Sequence, residues 1–256
     1  MRTHKIRCCA GPLIASSALL MAAAAMAAGF NLDSLPLSGI KDSAAAYRSA
    51  AAPEPPAPEA WRPGSPVDCA AVTEHGTDLG QIYLCMDIYW HGEQQDNPPG
   101  SYTNIIRLLD RAEELDPSQW DNFTTAAWLL YSQWVAWHQD PVHNYYGKDK
   151  DQAAEREIMK GRRTHMRNFT FHLDSGAVME LMAENYLPAY FPFVQDCFKL
   201  AYKAAGADGE KVRALLNLGD SYRHSGDKRR ALKAYKKVLK IDPSNQTAQQ
   251  YVSQLE

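Results

Sequence analysis

Two stretches bring histidines and carboxylates together, YWHGEQQD over 89–96 and WHQDPVHNYYGKDKD over 137–151, and such groups could hold a metal or move protons. His138 and His143 stand five residues apart around Pro141, a spacing that does not place both on one helical face. Neither HExxH nor a paired CxxC occurs, so no metal site is expected. The carboxylate pairs Glu113-Glu114 and Glu155/Glu157 fall where helix exteriors are expected, and charge there is ordinary. Glycine-rich phosphate loops and G-x-S-x-G are missing, and Cys69, Cys85 and Cys197 have no convincing histidine partner in sequence. Catalysis is left without a positive argument. The expectation is a protein that is not an enzyme and needs no cofactor. The rival enzyme reading would use His138, His143 and Tyr145-Tyr146, on what reads as a long loop between helices.

A second chemistry is suggested by Lys228, Arg229, Arg230, Lys233, Lys236, Lys237 and Lys240, since clustered cations displace counterions from phosphates. Stacking aromatics are not interleaved on that face, so nucleic acid is not the expected partner. A solvated outer helix face is expected, with contact to an anionic membrane surface or an acidic partner left open. Trp120, Trp128, Tyr131, Trp134 and Trp137 recur at helical spacings and read as core; exposed, they would anchor an interface.

The elements that carry these residues begin after two atypical segments. Residues 1–28 hold Arg2, Lys5 and Arg7, then an uncharged run from Cys8 to Phe30 with small residues at Ala25, Ala27 and Ala28. That order is a secretory signal pattern, or an anchor if it is not cleaved. Residues 29–66 include PEPPAPEAWRPGSP and read as an Ala/Pro-rich linker, since proline at this density favours extended, solvated chain. Removing residues 1–28 changes the net charge from −3 to −6. Residues 29–198 then carry 12 Lys/Arg against 24 Asp/Glu, while 199–240 carry 12 against 4. The body is acidic and the C-terminal end basic. Export into an oxidising compartment would permit a Cys69–Cys85 disulfide, provided the chain turns back near His75-Gly76-Thr77. Cys197, beside Phe193, Phe198 and Leu200, reads as a buried apolar residue.

Residues 67–256 show helical periodicity and no sustained alternation, so the fold expected is all-α. Within them, VRALLNLGDSYRHSGDKRRALKAYKKVLKIDPSN is 34 residues long and spans 212–245. Leu215, Leu218, Gly219 and Tyr222 are large, large, small and aromatic; Gly226-Asp227 is the turn; Ala231, Tyr235, Val238 and Leu239 form the second packing face; and Asp242-Pro243 closes the unit. This stretch closely resembles the tetratricopeptide repeat, with Val238 standing where that family usually has alanine. One such hairpin cannot hide its own apolar face, so several should stack. Weaker matches run through 100–210: NIIRLLDRAEELDP with Ala112 and Pro117, SQWDNFTTAAWLLYSQWVAW with Ala126-Ala127, and AVMELMAENYLPAYFPFVQDCFKLAYKAA with its turn at Pro188 and Pro192 and packing at Ala201. Residues 67–92 read as an opening helical pair and 246–256 as a capping helix. The resemblance implies stacked antiparallel hairpins wound into a right-handed superhelix.

It also implies a role. Repeats of this family bind peptides on their concave face, and the corresponding positions here are Arg213, Leu216, Asn217, Asp220, Arg223 and His224. Arg and Asn there would hold a peptide backbone or terminal carboxylate by directional hydrogen bonds; the bland alternative is solvated helix surface. The function expected is an exported scaffold or assembly adaptor of the bacterial periplasm or envelope. The rival non-enzymatic reading is a structural envelope subunit without a groove ligand.

Overall fold

The computed structural model describes residues 67–91 and 101–256. The signal and linker expected over 1–28 and 29–66 lie outside the described residues. Among those described there are ten α-helices and no strand. In chain order they are α1 (Cys69–His75), α2 (Leu79–His91), α3 (Thr103–Leu115), α4 (Trp120–Gln139), α5 (Lys150–Thr164), α6 (Phe169–Asn185), α7 (Phe191–Ala204), α8 (Asp208–His224), α9 (Lys228–Ile241) and α10 (Gln246–Leu255). None is long and apolar enough to cross a membrane.

Neighbours in sequence are neighbours in space. The pairs α4–α5, α6–α7 and α8–α9 pack as hairpins, α7 lies against α8, and α10 covers α9. This is a helical-repeat stack held by consecutive packing.

Local sequence explains the boundaries. Asp227 caps α9 by accepting from the Arg230 amide at 2.9 Å, and Asn245 caps α10 through the Ala248 amide at 3.1 Å. The turns Asp116-Pro117-Ser118 and Asp242-Pro243-Ser244 share one geometry, each aspartate accepting from the backbone amide two residues on, at 3.0 and 3.1 Å. Gly226 sits at φ 82°, the left-handed conformation that ends α8 cheaply only without a Cβ.

The core follows the repeat pattern. Leu215, Ala231, Tyr235 and Val238 are buried, and a Cβ on Gly219 would come within 2.6 Å of the Tyr235 ring. The hairpin α6–α7 repeats this contact, for a Cβ on Gly176 would collide with the Phe198 ring. Phe198 and Ala201 are buried and keep the three-residue spacing of Tyr235 and Val238. The two hairpins are therefore in register. Small-to-aromatic spacing in α6–α7 is six residues longer than in α8–α9: four of the six extend α6 beyond Gly176, and two lie in the longer connection that holds the 3-10 turn Pro188–Tyr190. Helix α6 begins at Phe169, eight residues before the periodicity suggests, with Asn168 as its cap.

At the other end, Asp68 caps α1, Gly76 ends it, and the chain turns back into α2. Cys69 and Cys85 are bridged there, with Cα atoms 5.4 Å apart.

Candidate functional site

The six positions implied by the repeat all lie on α8. Arg213, Leu216, Asn217 and Asp220 are half-buried, Arg223 likewise, and His224 is exposed at the helix end. Asp220 is the hub. Its Oδ1 accepts from the Tyr235 hydroxyl at 2.8 Å and from Arg223 Nη2 at 3.1 Å, tying α8 to α9. The Arg223 guanidinium also stacks on Tyr251 of α10, 4.9 Å from its ring centre. Arg223 Nη2 lies 2.6 Å from His224 Nε2. A guanidinium only donates, so Nε2 accepts and Nδ1 carries the proton. That proton points at Glu184 of α6, which pairs closely with Nδ1, while Glu180 Oε1 stands 3.7 Å away. Burial lowers the His224 pKa, consistent with a neutral ring.

The register of α6 against α8 brings in residues the sequence reading does not name. Aligning Gly176 with Gly219 places Asp174 beside the Asn217 position and Glu180 beside the Arg223 position. Both carboxyls sit in low dielectric. Burial pushes Glu180 up to about 8, Asp220 adds to the rise, and Arg223 opposes it. Burial likewise pushes Asp174 up to about 7, with Arg213 opposing and Asp121 of α4 adding. Glu180 Oε1 is buried and makes no hydrogen bond. The first helices of neighbouring hairpins thus present a mixed row of guanidinium, amide and carboxyl groups, with burial favouring the protonated form of the carboxyls on α6. Such a row suits directional hydrogen bonding to a polypeptide. It was hidden in sequence because α6 lacks the aromatic and turn spacing that marks α8.

An open cavity of about 450 Å³ lies beside this row, between the turn ends of the last two hairpins, and Glu184, Pro188, Phe191, Gln195, His224 and Arg230 line part of it. Of the six implied positions only His224 reaches it.

Two groups of described side chains bring three ligand-type atoms within 4.8 Å of one another. Glu180, Glu184 and His224 form the first, where Arg223 already engages the far ring nitrogen of His224. Asp110, Glu113 and Glu157 form the second. Here Lys160 Nζ sits 3.1 Å from Asp110 and 3.5 Å from Glu157 and pairs closely with Glu113, so an ammonium already occupies the centre. This corrects the exterior placement of Glu113: its side chain is 1% exposed, and burial pushes its pKa up to about 7 against the pull of Lys160. Glu157 is also mostly covered. The sequence signal fails because Lys160 lies on another helix.

The remaining candidates separate. His138 stacks on Trp134 and meets Tyr186 edge-on, whereas His143 pairs with Asp140 at 2.8 Å on the surface, so the two histidines serve different contacts. Trp128, Tyr131 and Trp134 are buried, as core residues should be. Cys197 is fully buried, and its thiol is pushed up to about 11 by that burial, which Arg162 only partly offsets. Asn122, Asn168 and Asn245 each stand two residues before a threonine, and all three are spent on structure: Asn122 bonds the Tyr83 hydroxyl, and Asn168 and Asn245 cap helices. Every cation of the basic run on α9 is exposed.

Residues 212–245 match the family model of the tetratricopeptide repeat. No curated protein matches the chain, and no solved structure does. The matched residues are the hairpin α8–α9 with its closing turn, and α6–α7 repeats its small-to-aromatic contact: the chain carries a tetratricopeptide repeat at 212–245, and the described residues around it are a stack of helical hairpins.

Proposed function

We propose that this protein is an exported scaffold or assembly adaptor of the bacterial envelope, holding a partner polypeptide along the first-helix row of its stacked hairpins. Tetratricopeptide repeats are protein-interaction units, and the match at 212–245 supports that general role. The observation that carries the finer reading is the row itself. Arg213, Asn217, Asp220 and Arg223 on α8 stand beside Asp174 and Glu180 on α6, all at least partly open to solvent. A solvated face would not need to hold two carboxyls in surroundings that favour their protonated form. The opening run of residues 1–28 supports export and is the reason an envelope setting is preferred.

The test is recovery of crosslinked partners from native envelopes by full-length protein. Arg213→Glu/Arg223→Glu reverses two charges in the row and is expected to abolish recovery. Because Arg223 also ties α8 to α10, Asn217→Lys serves as a second variant that disturbs the row alone. If both variants fold and recover the same partner in the same amount, the row is not the binding surface.

A further inference from the structure

The second helix of the repeat carries a surface that the groove reading leaves unused. Helix α9, KRRALKAYKKVLKI, holds seven Lys/Arg and no acid in 14 residues. At 100° per residue, Arg229, Arg230, Lys233, Lys236, Lys237 and Lys240 fall within an arc of roughly 120°. Ala231, Ala234, Tyr235 and Val238 occupy the opposite arc and are buried, so all seven cations face solvent. Two neighbouring acids offset little of this charge. Asp227 pairs with Arg230 at 3.3 Å and Glu256 with Lys236 at 2.7 Å. Lys237 lies 6.0 Å above the Tyr202 ring, which keeps its charge. Lys228, Arg229, Lys233 and Lys240 make no ion pair among the described residues.

We propose that the outer face of α9 docks this protein onto an anionic lipid bilayer, its lysines meeting the phosphates of acidic headgroups. Charge complementarity is the first argument, for a face of this density gains from every phosphate it approaches. Shape is the second. The face is one helix side about 21 Å long; only Arg230, at its turn end, borders the open cavity beside the first-helix row, and the face carries no exposed aromatic to grip a base. Five of the seven cations are lysines, which act as point charges rather than as the planar forks that recognise one fixed carboxylate. The stack end is covered by the largely uncharged α10, so the basic face is not the surface on which a further hairpin would stack. In this arrangement α9, the second helix of the last hairpin, holds the membrane and leaves the first-helix row free.

The experiment is co-sedimentation of the full-length chain with phosphatidylcholine vesicles, with and without phosphatidylglycerol. The difference between the two is the readout; the uncharged run 8–30 contributes to both alike, and the pull of Arg2, Lys5 and Arg7 on anionic vesicles is separated by the charge-reversed variant, which keeps those residues. Anionic vesicles are expected to bind the protein at least about tenfold better than neutral ones at low salt, with the excess lost as salt rises. Arg229→Glu/Lys233→Glu/Lys240→Glu should remove that excess, while Lys233→Arg/Lys240→Arg should keep it. Equal binding to both vesicle types overturns the proposal, as does an excess that charge reversal or salt leaves unchanged. Duplex DNA is the competing polyanion: if it retains the protein at a salt concentration that releases the vesicles, the face belongs to nucleic acid instead. Should the reversed variant lose helicity, the salt titration and the arginine variant decide.

Discussion

Glu180 shows how a single side chain on the first-helix row couples structure to pH. Its carboxyl in the folded protein takes up a proton near pH 8, whereas an unfolded glutamate does so near 4.5. Between those values the folded state binds more protons than the unfolded one. Its penalty is therefore absent below the unfolded value and grows as pH rises toward 8, at most about 1.4 kcal/mol per pH unit for one group. Asp174 and Glu113, each raised to about 7, act in the same direction. Glu180→Gln cannot ionise and should flatten the decline in melting temperature between pH 5 and pH 8, as read by circular dichroism. A variant profile parallel to that of the unaltered protein would mean that Glu180 ionises normally. The residue types of this row were legible on α8 but not on α6. Asp174 and Glu180 acquire their surroundings from helices that lie far away in sequence.

Elements are matched through two glycines. Gly219 and Gly176 each face an aromatic ring of the following helix, and neither has room for a methyl group. Alanine at either position is expected to cost roughly 1–3 kcal/mol by forcing the helices apart. Gly209 in the first turn of α8 has nothing within 4 Å of where a Cβ would stand. There alanine should be neutral or slightly stabilising. Denaturant titration of the three variants checks this, and equal costs at 176 and 219 would support the common register of the two hairpins. The match at 212–245 gave α8–α9 directly, because every marker sits at the family spacing. Hairpin α6–α7 was legible only as a helical pair. Its six extra residues, four at the end of α6 and two in the connection at Pro188, break the spacing while leaving the contact intact.

The described helices form a stack whose last layer protects the one beneath. Ala248 is buried, Tyr251 stacks on Tyr235 with ring centres 4.9 Å apart, and the Arg223 guanidinium lies 4.9 Å from the centre of the Tyr251 ring. Deleting 246–256 would uncover the Tyr235 side of α9. A fully buried aromatic contributes roughly 1.5–3 kcal/mol. The truncated chain should therefore melt earlier and bind a hydrophobic dye, with α8–α9 losing amide protection before α4–α5. Uniform loss of protection across the helices would instead show a single cooperative unit.

The sequence alone determined the helical class, the turn chemistry and the complete hairpin 212–245, since periodicity, caps and small-residue positions are written locally. Only the tertiary structure decided that Glu113 is buried against Lys160, that the second hairpin shares the register of the last, and which carboxyls join the row on α8. Those outcomes depend on desolvation and on charges brought together from separate helices. Burial and long-range electrostatics belong to the packed stack, and no spacing along one helix encodes them.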